Sequence, residues 1–326
     1  MSARAAVGIV GAGTFGLALA RTLALAGGPV IVHVPGFEAA RLLAERRVSE
    51  RLPGVELPAA VRVESDITAV ARQARFLVLA VRASSVAAVV EELGAVVDGG
   101  HVVVHALGTL GSGSVSALLR ARTCLRQVGV LAGPALPGDL LAGRPCGLVV
   151  ASPYRAVIQR ARALLGVPPA LRIYESHELA GVELASALSG AMAVAIGVAD
   201  ELSFGEGPRA LGVTRAVAEM ARLGAATGAP ERVFSGLAGL GNLLVRISPG
   251  SGLHSEDYQL GLRLARAGTG AGERETAGAA AARGGAALAK RLGVLAPLCG
   301  MIAAILDGEP VPAAVQRVMA TLPELE

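Results

Sequence analysis

The stretch Val7-Gly-Ile-Val10, Gly11-Ala-Gly-Thr-Phe-Gly16, Leu17-Ala-Leu-Ala20 decides the fold of this chain. A four-residue apolar run stops at a glycine, and a helical pattern starts within three residues. In a strand–turn–helix of this kind each glycine has its own task. Gly11 permits the tight turn, Gly13 lets the backbone approach a pyrophosphate, and Gly16 lets helix and strand pack closely. The N-terminus of the helix then faces the phosphates. Gly11, Gly13, Thr14, Phe15 and Gly16 are therefore the candidate cofactor-binding residues. The spacing alone is weak evidence; its position between a strand and a helix gives it weight.

Working outward, Val30–Val34, Phe76–Val81 and His101–His105 are short β runs separated by helical segments, and 125–131 and 146–151 read as further strands. Alternating β and α segments at this spacing predict a doubly wound parallel sheet of the Rossmann type. The β character ends near Tyr174. Beyond it, Ala/Leu-rich stretches at helical period fill 178–202, 208–228, 256–268, 275–292 and 297–307. The expected organisation is an α/β Rossmann domain over 1–175 and an all-helical C-terminal domain, for substrate binding or dimerisation, over 176–326. The second strand runs into His33-Val34-Pro35-Gly36-Phe37. An acid there would hold the ribose of NAD, and an arginine would favour NADP. Neither is present, so NAD and NADP both stay open.

Composition narrows the function classes. Apolar residues make up 53% of the 326 residues, enough for a large core, while aromatics are 2% and Trp is absent. A net charge of +4 with no Lys/Arg block gives no nucleic-acid surface. The only lysine is Lys290; all other basic side chains apart from the five histidines are arginine. Cys124, Cys146 and Cys299 form no CxxC and read as small buried hydrophobes in a reducing cytosol. The apolar stretches 184–199 and 292–306 are shorter than the roughly 18–20 residues of a membrane span, and no charged-then-apolar leader is visible. A cytoplasmic protein without membrane insertion is expected. The scattered histidines lack metal-ligand spacing, so no metal site is expected.

Longer motifs carry a resemblance. GAGTFGLALA (11–20), LPGVELP (52–58), GP (133–134), GVELASAL (181–188), TRAVAEMARLGAATGAPERVFSGLAGLGNL (214–243) and KRLGVLAPL (290–298) are similar to stretches of bacterial NAD(P)-dependent glycerol-3-phosphate dehydrogenases, over essentially the whole chain. The resemblance implies a Rossmann domain, a helical substrate domain, an active site in the cleft between them, and a homodimer. It also implies hydride transfer, in which the nicotinamide supplies the hydride and the protein handles the proton.

The polar positions depart from that pattern. The family's ATKGL turn corresponds to HALGTL, which places Leu107 where a lysine is expected. Its GPSFA loop corresponds to GPALP, with Ala135 and Pro137. Its ALKN helix corresponds to ALSG, so Ser189 and Gly190 stand for a lysine and an asparagine. Its GLGD corresponds to GLGN, ending in Asn242. The phosphate-gripping Ser-Arg-Asn falls at Leu253, His254 and Ser255, and a cofactor-contacting glutamate at about Gly272. Asp200, Arg209, Thr214 and Arg215 match family positions. The expectation is a glycerol-3-phosphate dehydrogenase-like protein with a degenerate active site, leaning towards a non-catalytic dinucleotide-binding, sensing or scaffold role. The alternative is an NAD(P)-dependent dehydrogenase repurposed for another small substrate, with His105 and His254 as replacement proton carriers.

Overall fold

The computed structural model describes residues 5–108, 110, 113–248, 255–270 and 276–321. The chain divides into two compact units: Met1–Leu107 with Ser114–Leu179, and Gly108–Gly113 with Ala180–Glu326.

The first unit is built on an eight-stranded sheet. Its strands are β1 (Val7–Val10), β2 (Val30–His33), β5 (Val61–Glu64), β6 (Phe76–Leu79), β7 (Val102–His105), β8 (Val128–Ala132), β9 (Cys146–Ala151) and β10 (Leu171–Ser176), in the order β10-β9-β8-β7-β6-β1-β2-β5. A separate hairpin pairs β3 (Val48–Ser49) with β4 (Leu52–Glu56). The helices are α1 (Thr14–Leu25), α2 (Phe37–Arg46), α3 (Ile67–Gln73), α4 (Val86–Gly94), α5 (Val115–Arg122), α6 (Pro137–Leu141) and α7 (Arg155–Leu165). The central strands are buried on both faces, as parallel strands covered by helices must be, which explains their unbroken apolar runs. One core cluster contains Ile9, Val32 and Val104; the other contains Val10, Leu79 and Val103.

The sheet is not wholly parallel. β9 pairs antiparallel with β8, while β10 lies parallel to β9. Between β8 and β9 there is only the five-residue α6, which is held on α1 by Thr22 Oγ1 and Arg21 Nη1 donating to the carbonyls of Leu140 and Leu141. No full crossover helix intervenes, so the chain returns antiparallel.

The second unit contains α8 (Leu179–Glu201), α9 (Glu206–Ala226), α10 (Asn242–Arg246), α11 (Glu256–Ala267), α12 (Ala277–Leu292), α13 (Pro297–Leu306) and α14 (Val311–Thr321). The Ala/Gly-rich 276–289 patch forms α12, capped by Thr276 Oγ1 accepting from the Ala279 N–H. α8 is 23 residues long, and its most apolar window reaches spanning length and hydropathy with 94% of it buried inside the fold. Burial, not shortness, makes it a core helix. It packs backbone to backbone on α11: a Cβ on Gly197 would stand 2.4 Å from the Tyr258 carbonyl oxygen, and one on Gly261 2.2 Å from that of Val194.

Cys146 and Cys299 are buried as small hydrophobes, but Cys124 is exposed. It lies in the turn between α5 and β8, where its Sγ donates to the Val97 carbonyl.

Candidate functional site

The glycine turn has the geometry its spacing predicts. Gly11 takes φ +120, and a Cβ there would stand 2.4 Å from the Ala80 carbonyl oxygen. A Cβ on Gly16 would stand 2.2 Å from the Gly11 carbonyl oxygen. Both positions are thus closed to any side chain. Gly13 differs: a Cβ there would meet only the Ala80 oxygen, at 3.9 Å. The space above Gly13 is open, Gly13 is the N-cap of α1, and no side chain caps that helix. Thr14 and Phe15 form its first turn and are half-buried. Unfilled N–H groups beside an open glycine are what a pyrophosphate requires, so these residues fit a dinucleotide.

The end of β2 offers no ribose-holding acid. His33 is buried, and desolvation holds its pKa below the ordinary histidine value despite a hydrogen bond with the Ser65 backbone. Gly36 takes φ +93 and Phe37 is exposed.

Leu107 is packed into a hydrophobic cluster of the first unit. Ala135 is buried after the Gly133 turn, and Pro137 opens α6. His105 has no exposed surface, and its Nε2 lies 3.1 Å from Ser116 Oγ on α5. It is a core histidine rather than an accessible proton carrier. His254, Leu253 and Gly272 lie outside the described residues.

In the second unit the substituted positions converge. Ser189 is fully buried on α8; its Oγ donates to the Ser186 carbonyl at 2.8 Å and accepts from Asn242 Nδ2 at 2.9 Å. Beside it, a Cβ on Gly190 would stand 2.9 Å from Asp257 Oδ2 and 3.3 Å from the Gly278 Cα. Sequence reading had not singled out Asp257 or Arg246. Asp257 is 4% exposed. Its Oδ1 accepts the Gly278 N–H at 2.8 Å, and its Oδ2 accepts Arg246 Nη1 at 2.9 Å. Ser255 Oγ accepts the Asp257 N–H and lies 3.4 Å from Arg246 Nη1. The only available signal was spacing: Arg246 lies one helical turn after Asn242 on α10.

Of the remaining polar matches, Asp200, Arg209 and Thr214 are tied internally. Arg209 Nε donates to both Asp200 oxygens at 3.1 Å, and its Nη2 donates to the Ile247 carbonyl. Tyr258 OH donates to Asp200 Oδ2, and burial together with that carboxylate pushes the phenol up to about 12. Thr214 Oγ1 donates to the Ala210 carbonyl, and Arg215 is half-buried on α9. Glu219, also unanticipated, is buried on α9 and accepts the Leu298 and Cys299 N–H groups at 2.8 Å, capping α13. Burial raises its pKa, against the two N–H donors.

Comparison with known proteins gives the same fold and a family. The profile of the NAD-dependent glycerol-3-phosphate dehydrogenase N-terminus matches residues 6–157, and that of the C-terminus matches 178–316. The chain is 34% identical to the glycerol-3-phosphate dehydrogenase [NAD(P)+] of Paracoccus denitrificans over 93% of both chains. It is 32% identical to that of Streptomyces coelicolor over 98% of both. The crystal structure of glycerol-3-phosphate dehydrogenase from Coxiella burnetii superposes with a TM-score of 0.87 at 24% identity, covering 97% of this chain and 99% of that one. The chain therefore belongs to the NAD-dependent glycerol-3-phosphate dehydrogenase family, with a Rossmann unit of the kind that binds NAD or NADP.

Proposed function

We propose that this protein keeps the family's dinucleotide-binding unit and has given up its proton-transfer chemistry. It acts as a non-catalytic NAD(P)-binding protein, sensing or scaffolding in the cytoplasm as a homodimer. The observation that carries this reading is Ser189. The position where the resemblance puts a lysine holds a hydroxyl with no exposed surface, donating to the Ser186 carbonyl and accepting from Asn242 Nδ2. The chain's only lysine, Lys290, is exposed in the last turn of α12. Arginine is no substitute, because it stays protonated throughout the working pH range. Loss of general acid–base catalysis removes about 10²–10⁴ in rate.

The dinucleotide would be held by Gly11, Gly13, Thr14, Phe15 and Gly16, with its pyrophosphate at the N-terminus of α1. When bound, a nicotinamide supplies hydride chemistry. This chain's residues bind and orient it, but place no titrating side chain on α8 at position 189 or 190. Of the two histidines on which the repurposed-dehydrogenase reading rests, His105 is wholly buried against Ser116, and His254 lies outside the described residues.

The test is a titration of the purified protein with NADH and NADPH, followed by nicotinamide fluorescence, beside an assay of glycerol 3-phosphate oxidation with NAD and NADP. Binding without turnover is expected. Turnover above the protein-free rate overturns the non-catalytic reading.

A further inference from the structure

The strand order reverses at β1: β2 lies on one side and β6 on the other. In open α/β sheets the ligand crevice lies outside the carboxyl ends of the strands at this reversal. Val10 is in register with both His33 and Leu79, so Gly11 and Ala80 leave the sheet level with one another at that edge. Ala80 is tied to the glycine turn. Its N–H donates to the Val10 carbonyl at 2.8 Å, and its own carbonyl forms the floor under Gly11 and Gly13.

Two residues on stands Arg82. Its backbone is fixed by a turn in which the Ser85 N–H donates to the Arg82 carbonyl at 3.0 Å. Its side chain is exposed, and it pairs with no acid among the described residues. Several surface arginines of this unit are paired, Arg41 with Glu38 and Glu45, Arg75 with Asp98, Arg122 with Glu91 and Arg144 with Asp139; others, Arg51, Arg72, Arg120 and Arg172 among them, are as exposed and unpaired as Arg82, so what sets Arg82 apart is its place two residues beyond the Ala80 carbonyl that floors the glycine turn. An arginine with unspent donors therefore follows, by two residues, the strand end that floors a helix N-terminus with no side-chain cap, in a chain whose β2 end supplies neither acid nor arginine.

We propose that Arg82 holds a phosphate of the dinucleotide. The proposal rests on the reading that the glycine turn binds NAD(P). A guanidinium is planar, permanently charged and able to grip a phosphate through two parallel N–H bonds. Two phosphate sources share that chemistry: the pyrophosphate common to both cofactors, and the 2′-phosphate of NADP alone.

The experiment compares the whole protein with R82Q and R120Q, each titrated with NADH and with NADPH by nicotinamide fluorescence. Arg82 is exposed and unbonded, so R82Q folds; matching circular dichroism and melting temperature check this. Arg120 lies in the last turn of α5, which runs back from the carboxyl edge of the sheet, so R120Q makes the same charge change far from the glycine turn. Loss of a charge-assisted bond predicts affinity about tenfold weaker in R82Q. Weakening towards NADPH alone assigns the 2′-phosphate, and equal weakening towards both assigns the pyrophosphate. Unchanged affinities in R82Q overturn the role of Arg82 while leaving the dinucleotide reading intact. An equal loss in R120Q also overturns it, since a general field would then suffice. A wild-type protein that binds neither cofactor overturns both readings together.

Discussion

Replacing Ser189 by alanine tests whether α8 is held for packing. The substitution deletes one oxygen that makes two bonds. The Ser186 carbonyl loses little, because it can still accept the helical N–H of residue 190. Asn242 loses more: it is 7% exposed and its Nδ2 donates to Ser189 Oγ. Stranding a buried donor costs about 1–3 kcal/mol, partly offset by the better helix propensity of alanine, about 0.5 kcal/mol. The expected loss is about 1–2 kcal/mol in urea denaturation followed by far-ultraviolet circular dichroism. A cycle with N242A sharpens the test. Once the amide is gone nothing is stranded, so S189A costs close to zero in that background, and the coupling is about 1 kcal/mol or more. A full cost in the N242A background would refute the reasoning, as would no cost in the wild type.

Three further outcomes are expected. Restoring the lysine with S189K puts an ammonium into a site with no exposed surface, so the variant loses more stability than S189A and gains no glycerol 3-phosphate oxidation; a stable, active S189K would refute the closed-site reading. G197A must part α8 from the Tyr258 backbone; overpacking of about 1–3 kcal/mol outweighs a propensity gain of about 1 kcal/mol, so the melting temperature falls, and an unchanged value would count against the contact. Glu219 has a folded pKa raised by burial. Its contribution is full below the unfolded carboxyl value, about 4.3, and is lost as pH rises through the folded pKa. E219Q removes that slope, so wild type loses stability relative to the variant as pH rises from acid towards neutrality. Parallel pH–stability curves would contradict this.

The fold was legible where one local rule fixes both conformation and burial. The glycine turn constrains its own backbone, and the 3.6-residue period places five helices of the second unit within about two residues of their observed ends. What stayed hidden depends on partners far along the chain. The direction of β9 is not written in Cys146–Ala151, because an apolar run serves either ladder; the shortness of α6 decides it. Asp257 reads locally as an acid in the first turn of a helix after a Ser255 cap, which is its commonest use. Its real partners, Arg246 and the Gly278 N–H, lie on other helices. His105 shows the converse: a polar residue ending a strand suggests chemistry, yet odd-numbered positions of β7 face the cluster under α5, which buries it.

These placements bear on the proposed loss of proton chemistry from a dehydrogenase scaffold. Deleting two long polar side chains from a packed helix would by itself leave a cavity, which costs stability in proportion to its volume. Here the space beside Ser189 and Gly190 is filled. The Asp257 carboxylate and the Gly278 backbone stand within contact of where a side chain at 190 would begin, and Ser189 Oγ donates to the Ser186 carbonyl and accepts from Asn242. Each filler is itself satisfied, Asp257 by Arg246 and by the N-terminus of α12. Serine at 189, glycine at 190 and aspartate at 257 therefore form one mutually dependent arrangement. A side chain added at 190 alone meets the Asp257 carboxylate and the Gly278 backbone, and loss of the Ser189 hydroxyl alone strands the Asn242 amide; on the proposed reading, proton chemistry returns only when the set changes together.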